Sequence, residues 1–171
     1  MEKELDRKNR TELRGGRMDK RTKLIMSQVM LPSQANVAGN VHGGEIMKLM
    51  DTAAGAVAKK YARCNVVTAR VDELQFHLPI FVGALVTLTA TIAYIGRTSM
   101  EVIVNVDVED LESDSEPKRA LSSYFTMVAL DKGGRPRELP PLQLDTEEEK
   151  IIYEEVKRRR DKSKCQCNPE N

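Results

Sequence analysis

The stretch from Glu45 to Ala62 constrains this chain more than any other. Apolar residues recur there at Ile46, Leu49, Met50, Ala53, Ala54, Val57, Ala58 and Tyr61, the spacing of one wide helical face. Its centre reads Ala53-Ala54-Gly55-Ala56, and side chains that small let another backbone come close. Such a helix is expected to lie deep against a sheet, packed at the density of a protein interior. One charge, Asp51, sits among these residues. A carboxylate there is costly unless it is paired, exposed or used.

The sheet is supplied by segments rich in Val, Ile, Thr and aromatics. Leu24–Leu31 reads as a strand closed by Pro32, and Val66–Phe76, Ala84–Ile95, Ser99–Asp110 and Arg119–Leu130 read as four more. From Met100 to Val108 the alternation puts Met100, Val102, Val104, Val106 and Val108 on one face. Glu101, Ile103, Asn105 and Asp107 fall on a wetter one. Short connections between the last three strands, with turn signals at Gly96-Arg97 and Lys132-Gly133-Gly134, predict antiparallel neighbours. Glu109–Lys118 reads as an exposed acidic loop. After Pro140-Pro141, Thr146 and Glu149 form a candidate capping box for a second, peripheral helix over 145–161.

The expectation is an α+β fold: one domain over 24–144, a charged extension over 1–23, a C-terminal helix and a tail over 162–171. One helix cannot cover both faces of such a sheet, and its outer strands would be left unpaired, so self-association is expected.

Composition narrows the function. Against 27 basic residues stand 26 acidic ones, a net charge of +1, with no Trp, three Phe and four Tyr. Nucleic-acid surfaces need a basic field and stacking platforms, and neither is implied. Three cysteines are an odd number and too few for a disulfide framework, which points to a reducing compartment, the cytoplasm. No segment resembles a secretory signal or a membrane span. With two histidines, His42 and His77, and Cys165-x-Cys167 in the tail, no metal site is expected. No Gly-x-Ser-x-Gly elbow exists for a serine hydrolase.

Four groups could carry chemistry. Asp51 pairs with Lys48 one turn earlier in the ordinary reading. In the functional one it borders the buried face beside Met47, Ala54 and Gly55, with room for a substrate. His42-Gly43-Gly44 opens the helix, either as a flexible entry or as a set of free amides for a developing oxyanion. Asn40 after Gly39 is a turn residue, or a carboxamide near Asp51. Gly96-Arg97-Thr98-Ser99 is a hairpin turn, or an arginine fork with hydroxyls suited to phosphate.

Taken in order, Pro32-Ser-Gln-Ala-Asn-x-x-Gly-Asn-x-His-Gly-Gly-x-x-Met-x-x-Met-Asp51, then Val71-Asp-x-x-x-Phe76-His-x-Pro-Ile, then Val82-Gly83, then Gly96-Arg97-Thr98-Ser99 resemble the hotdog-fold acyl-CoA thioesterases of the cytosolic acyl-CoA hydrolase group. The resemblance runs from about Leu24 to Leu144. It implies a central helix wrapped by an antiparallel sheet, two subunits sharing one continuous sheet, and commonly three dimers in a hexamer. It further implies Asp51 as general base or nucleophile, Asn40 contributed by the neighbouring subunit, and the Gly43 and Gly44 amides on the thioester carbonyl. Gly96, Arg97, Thr98 and Ser99 would lie near the CoA nucleotide, and Val82 and Gly83 beside the pantetheine arm. CoA is part of substrate and product, and no separate cofactor is implied. Two rivals share the fold or its ligand. A hotdog dehydratase would usually carry a histidine in the catalytic position, and the helix has none. A non-catalytic acyl-CoA sensor would need an output domain, for which the residues before the first strand are too few.

Overall fold

The computed structural model describes residues 21–166, so nearly all of the charged extension and the last five residues lie outside the described residues. Five strands form one antiparallel sheet: β1 (Lys23–Val29), β2 (Asn65–Val71), β3 (Leu85–Ile95), β4 (Ser99–Glu109) and β5 (Lys118–Leu130). Their order across the sheet is β1-β3-β4-β5-β2, which leaves β1 and β2 as edges. The central helix α1 (Gly43–Ala62) packs against all five strands, and α2 (Glu147–Gln166) lies against β3. This is the hotdog architecture expected from the sequence.

The core lies between α1 and one sheet face. Ile46, Met50, Ala53, Ala54, Val57 and Ala58 meet Val86, Leu88, Met100, Val102, Val104, Phe125 and Met127, all of them buried. The small centre of α1 serves this contact: at Gly55 an added Cβ would meet only the Met127 methyl group, at 3.9 Å. α1 ends at Arg63, whose φ of 53° and ψ of 31° are left-handed, with its N–H on the Lys59 carbonyl at 3.0 Å. That conformation favours glycine, so Arg63 holds it at a cost.

Most boundaries shift by a residue or two, and three of the shifts have a visible cause. The first strand stops at Val29, because Leu31 already caps a 3-10 turn over Pro32–Gln34, its N–H held by Gln34 Oε1 at 2.8 Å. β2 stops at Val71 instead of Phe76, and the chain beyond it turns away to bring the Phe76 ring against Gly43. α2 runs to Gln166, past the expected end at 161, since nothing between Arg160 and Gln166 breaks a helix. Its expected capping box is present: Thr146 Oγ1 accepts from Glu149 N at 3.1 Å, and Glu149 Oε2 accepts from Thr146 N at 3.0 Å.

One β-bulge decides which face each side chain of β2 reaches. Thr68 pairs with Met127 and Arg70 with Thr126, so the ladder slips by one residue between them. Met127 and Thr126 are neighbours on β5 and face opposite ways. The bulge therefore turns Thr68 toward α1 and Arg70 toward the outer face, where regular pairing would align them.

Candidate active site

Asp51 sits in the third turn of α1, at the margin where the helix passes edge strand β2. It is exposed, and its Oδ1 accepts a hydrogen bond from Thr68 Oγ1 at 2.5 Å. The Thr68 hydroxyl also lies 3.6 Å from Met127 Sδ, so the threonine rests on the core and points its proton at the carboxylate. Among the described residues no ion pair joins Asp51 to Lys48; the Lys48 carbonyl accepts instead from Thr52 Oγ1 at 2.7 Å. The solitary acid expected from the sequence thus has one hydroxyl partner. Thr68 was not among the sequence candidates, because a threonine in a strand carries no signal until the bulge fixes its face.

The start of α1 is built by two rings. His42 is the N-cap, with φ −66° and ψ 127°, and its Nδ1 accepts from Gly44 N at 3.0 Å. A Cβ on Gly44 would lie 3.1 Å from that nitrogen, and one on Gly43 would lie 3.5 Å from the Phe76 ring. The Gly44 amide is therefore already engaged by His42. The Gly43 amide has no acceptor among the described hydrogen bonds, and Gly43 borders an open groove of about 330 Å³ shared with Asn36, Asn40, Phe76 and His77. A donor facing a groove at a helix start can meet a developing negative charge.

Both asparagines line that groove and have different jobs. Asn36 Oδ1 accepts from Ala38 N at 2.9 Å and from Asn40 N at 3.2 Å, which ties the loop into a turn completed by Gly39 at φ +83°. The Asn40 carboxamide makes no hydrogen bond among those described, while its backbone bridges to Phe81.

Val82 and Gly83 border a separate cleft of about 370 Å³, whose far wall carries Asp110 and Glu112. Gly83 has φ +89° and donates its N–H to the Met30 carbonyl at 2.8 Å. Gly96–Ser99 is the β3–β4 turn, closed by Gly96 N–H on the Ser99 carbonyl at 2.7 Å. Ser99 and Thr68 are two strands apart near one end of the sheet, a spacing of roughly 10 Å, but they face opposite sides. Within one protomer the turn and Asp51 are thus separated by the sheet. Arg97 is exposed, with Nη1 3.8 Å from Glu138 Oε1. Ser99 is buried, and its Oγ accepts from Arg160 Nη2 at 2.8 Å.

The outer face corrects one expectation. Glu101, assigned to the wetter side of β4, is only 3% exposed, because α2 covers it. Burial raises its carboxyl above the usual range, opposed by the Thr126 hydroxyl at 2.9 and 3.1 Å and by the charges of Arg70 and Arg160. No group of three or more His, Cys, Asp or Glu side chains that could hold a metal ion is found among the described residues.

Known proteins share these contours. The model of the thioesterase superfamily matches residues 38–114. The cytosolic acyl coenzyme A thioester hydrolase of Mus musculus is 41% identical over 129 residues, covering 75% of this chain and 34% of that protein. The chain therefore spans about a third of the length of its mammalian relatives. A hexameric acyl-CoA thioesterase superposes with a TM-score of 0.82 at 34% identity, over 88% of this chain and 96% of the other. The Staphylococcus aureus acyl-CoA hydrolase, solved with butyryl coenzyme A and coenzyme A, gives 0.77 at 31% identity over 84% and 87%. That hydrolase has also been solved with alanine replacing an asparagine, an aspartate and a threonine, at positions 28, 43 and 60 of its own chain.

Proposed function

This chain belongs to the thioesterase superfamily, and from that premise we propose that it hydrolyses acyl-CoA thioesters to a free acid and CoA. The observation that carries the reading is the Asp51–Thr68 pair, an exposed carboxylate held by one hydroxyl where α1 passes edge strand β2. Its carboxylate takes a proton from water as the oxygen attacks the thioester carbon. Gly43 lies eight residues before Asp51 on α1, about 12 Å along the axis, so the oxyanion developing at that carbon is assigned to the Gly43 amide of a second protomer. Collapse of the tetrahedral intermediate breaks the C–S bond, and the proton passes to the CoA thiolate. Direct attack by Asp51 reaches the same products through an anhydride that water then cleaves.

The partner asparagine is better assigned to Asn36 than to Asn40. In the Staphylococcus aureus hydrolase the replaced aspartate follows the asparagine by 15 positions and precedes the threonine by 17. Asp51 and Thr68 reproduce the second interval, and Asn36 stands at the first. Asn40 stands 11 positions before Asp51. Of the helix-start amides, Gly43 is favoured over Gly44, whose N–H is engaged by His42. Arg97 and Thr98 are assigned to the CoA nucleotide, with Gly96 shaping their turn. Val82 and Gly83 are assigned to the pantetheine arm, a neutral segment that suits a cleft walled by two carboxylates.

The working unit is a dimer joined along edge strand β2, which among the described residues has no neighbour on its outer side and exposes Val67 and Val71. Three such dimers would make a hexamer, as in the hexameric relative. The cytoplasm is the compartment that fits the cysteine usage and the relatives named cytosolic.

Purified protein incubated with acyl-CoAs from acetyl to palmitoyl, with free thiol as the readout, tests this directly. Thiol release that is lost in Asp51→Asn is the expected result. A folded protein that binds these esters without releasing thiol is a binding module, and one that converts a 3-hydroxyacyl ester to an enoyl ester is a dehydratase; either outcome overturns the reading.

A further inference from the structure

The C-terminal helix reaches the β3–β4 turn with the side chain of Arg160. Arg160 Nη2 donates to Ser99 Oγ at 2.8 Å, and Arg160 Nη1 lies 2.5 Å from the point where a Cβ on Gly96 would stand. The guanidinium therefore occupies the space left by the missing Gly96 side chain, while the backbone of the turn closes beneath it. Its own position is fixed from two further sides. It lies 5.0 Å from the Tyr94 ring centroid, Tyr94 in turn meets Tyr153 of α2 at 4.9 Å, and Nε lies 3.8 Å from the buried carboxylate of Glu101, itself held by Thr126. Val156, one turn before Arg160, is 3% exposed, so the helix is anchored where the arginine leaves it.

We propose that Arg160 is a positioning residue for CoA binding: by filling the hollow over Gly96 and holding the Ser99 hydroxyl, it fixes the turn from which Arg97 and Thr98 meet the nucleotide. This rests on the assignment of that turn to the nucleotide. It divides labour among residues that the sequence grouped together: Ser99 and Gly96 face α2 as the socket for Arg160, and Arg97 faces solvent as the ligand. A turn left free to move would lose affinity for the nucleotide and leave the chemistry at Asp51 untouched, because the sheet separates the two.

The test compares two substrates with the same acyl group, butyryl-CoA and butyryl-pantetheine, the second lacking the nucleotide. Arg160→Ala should raise KM for butyryl-CoA about fivefold or more, with kcat within about twofold, the signature of lost ground-state binding. For butyryl-pantetheine kcat/KM should stay within about twofold of the parent. Gly96→Ala pushes the guanidinium out without removing it, and should give the same selective effect. The double variant should add little to either, as expected for one shared interaction. Arg160→Lys should recover part of the affinity. Gly96→Ala also serves as the independent arm where Arg160→Ala folds poorly. Arg97→Ala separates the role of the turn from the role of Arg160. If Arg97→Ala is selective for butyryl-CoA while Arg160→Ala and Gly96→Ala are not, the turn binds the nucleotide and the role of Arg160 is overturned. If none of the three discriminates between the substrates, the assignment of the turn falls and the proposal with it. Equal losses on both substrates in Arg160→Ala and Gly96→Ala would reduce Arg160 to a fold contact.

Discussion

Two carboxylates in this molecule each accept a hydrogen bond from a threonine hydroxyl, and their surroundings give them opposite fates. Asp51 takes its bond from Thr68 on the α1 side of the sheet, and Glu101 takes one, shared between its two oxygens, from Thr126 on the α2 side. Asp51 is exposed, with no described cation beside it. Glu101 is buried with the charges of Arg70 and Arg160 acting on it. The hydrogen bond alone does not make an acid reactive or structural. Access and counter-charge do. The bulge between Thr68 and Arg70 sorts the two environments, sending the hydroxyl to one face and the cation to the other.

The largest effect should fall on turnover at the first site. Asp51→Asn keeps size and exposure while removing the base, and kcat should fall about 10²-fold or more. Thermal unfolding should move little, since no described ion pair is lost. Turnover near the parent's in a folded Asp51→Asn would show that the exposed acid is not the reactive one. The distinction drawn between the two carboxylates would then fail.

The two threonines should divide in the same way. Thr126→Val leaves the buried Glu101 without its donor, and losing a hydrogen bond to a charged group should cost about 1.5–3 kcal/mol of stability in a urea titration. Thr68→Val removes the same chemistry from an exposed acid. It should lower kcat roughly tenfold, the scale of one lost orienting hydrogen bond, about 1.4 kcal/mol. Its urea midpoint should barely change. Exchanged phenotypes would mean that the assignment of reactive and structural acid is reversed.

The acid itself gives a pH signature on the outer face. Glu101 has its carboxyl raised by burial, so the folded protein holds that proton more tightly than the unfolded chain does. The stability linked to this is complete below the ordinary carboxylate range near pH 4 and is lost as pH rises through the raised value. Glu101→Gln should remove that loss. As pH rises above about 4, the melting temperature of the parent should decline relative to the variant. Parallel curves would show that Arg70, Arg160 and Thr126 fully offset the burial.

The same contrast explains what was legible in the sequence. Helical spacing and small residues placed α1 within two residues, and strand composition found all five strands, because burial of one face writes a period into the chain. Asp51 stood out as a charge inside that period. Thr68 and the role of Arg160 did not, for a common reason: each depends on pairing between segments far apart in sequence. Thr68 faces α1 only because of a bulge in the β2–β5 register, and Arg160 meets Ser99 across 61 positions. Glu101 obeyed its alternation and was still misjudged as wet, since alternation names a face and not what covers it. Asn40 and Asn36 share one loop, and nothing in the sequence around them tells which one meets a substrate. The interval to Asp51 in a relative is what favours the proposal of Asn36.

The smallest effect concerns the far end of α1, where Arg63 holds left-handed angles that a glycine would adopt freely. Arg63→Gly relieves the side chain's clash but gives the unfolded chain more freedom. The net gain should be about 0.5–1 kcal/mol, a few degrees in melting temperature. Because α1 joins this strained end to the Gly43 start through a continuous, tightly packed helix, the variant also asks whether strain reaches Asp51. Unchanged kcat with a higher melting temperature would place the strain in the fold alone and keep the reactive rim independent of it. A stabilised variant with lower kcat would mean that the position of Asp51 is set partly by that left-handed cap, and the rim would share its energetics with the core after all.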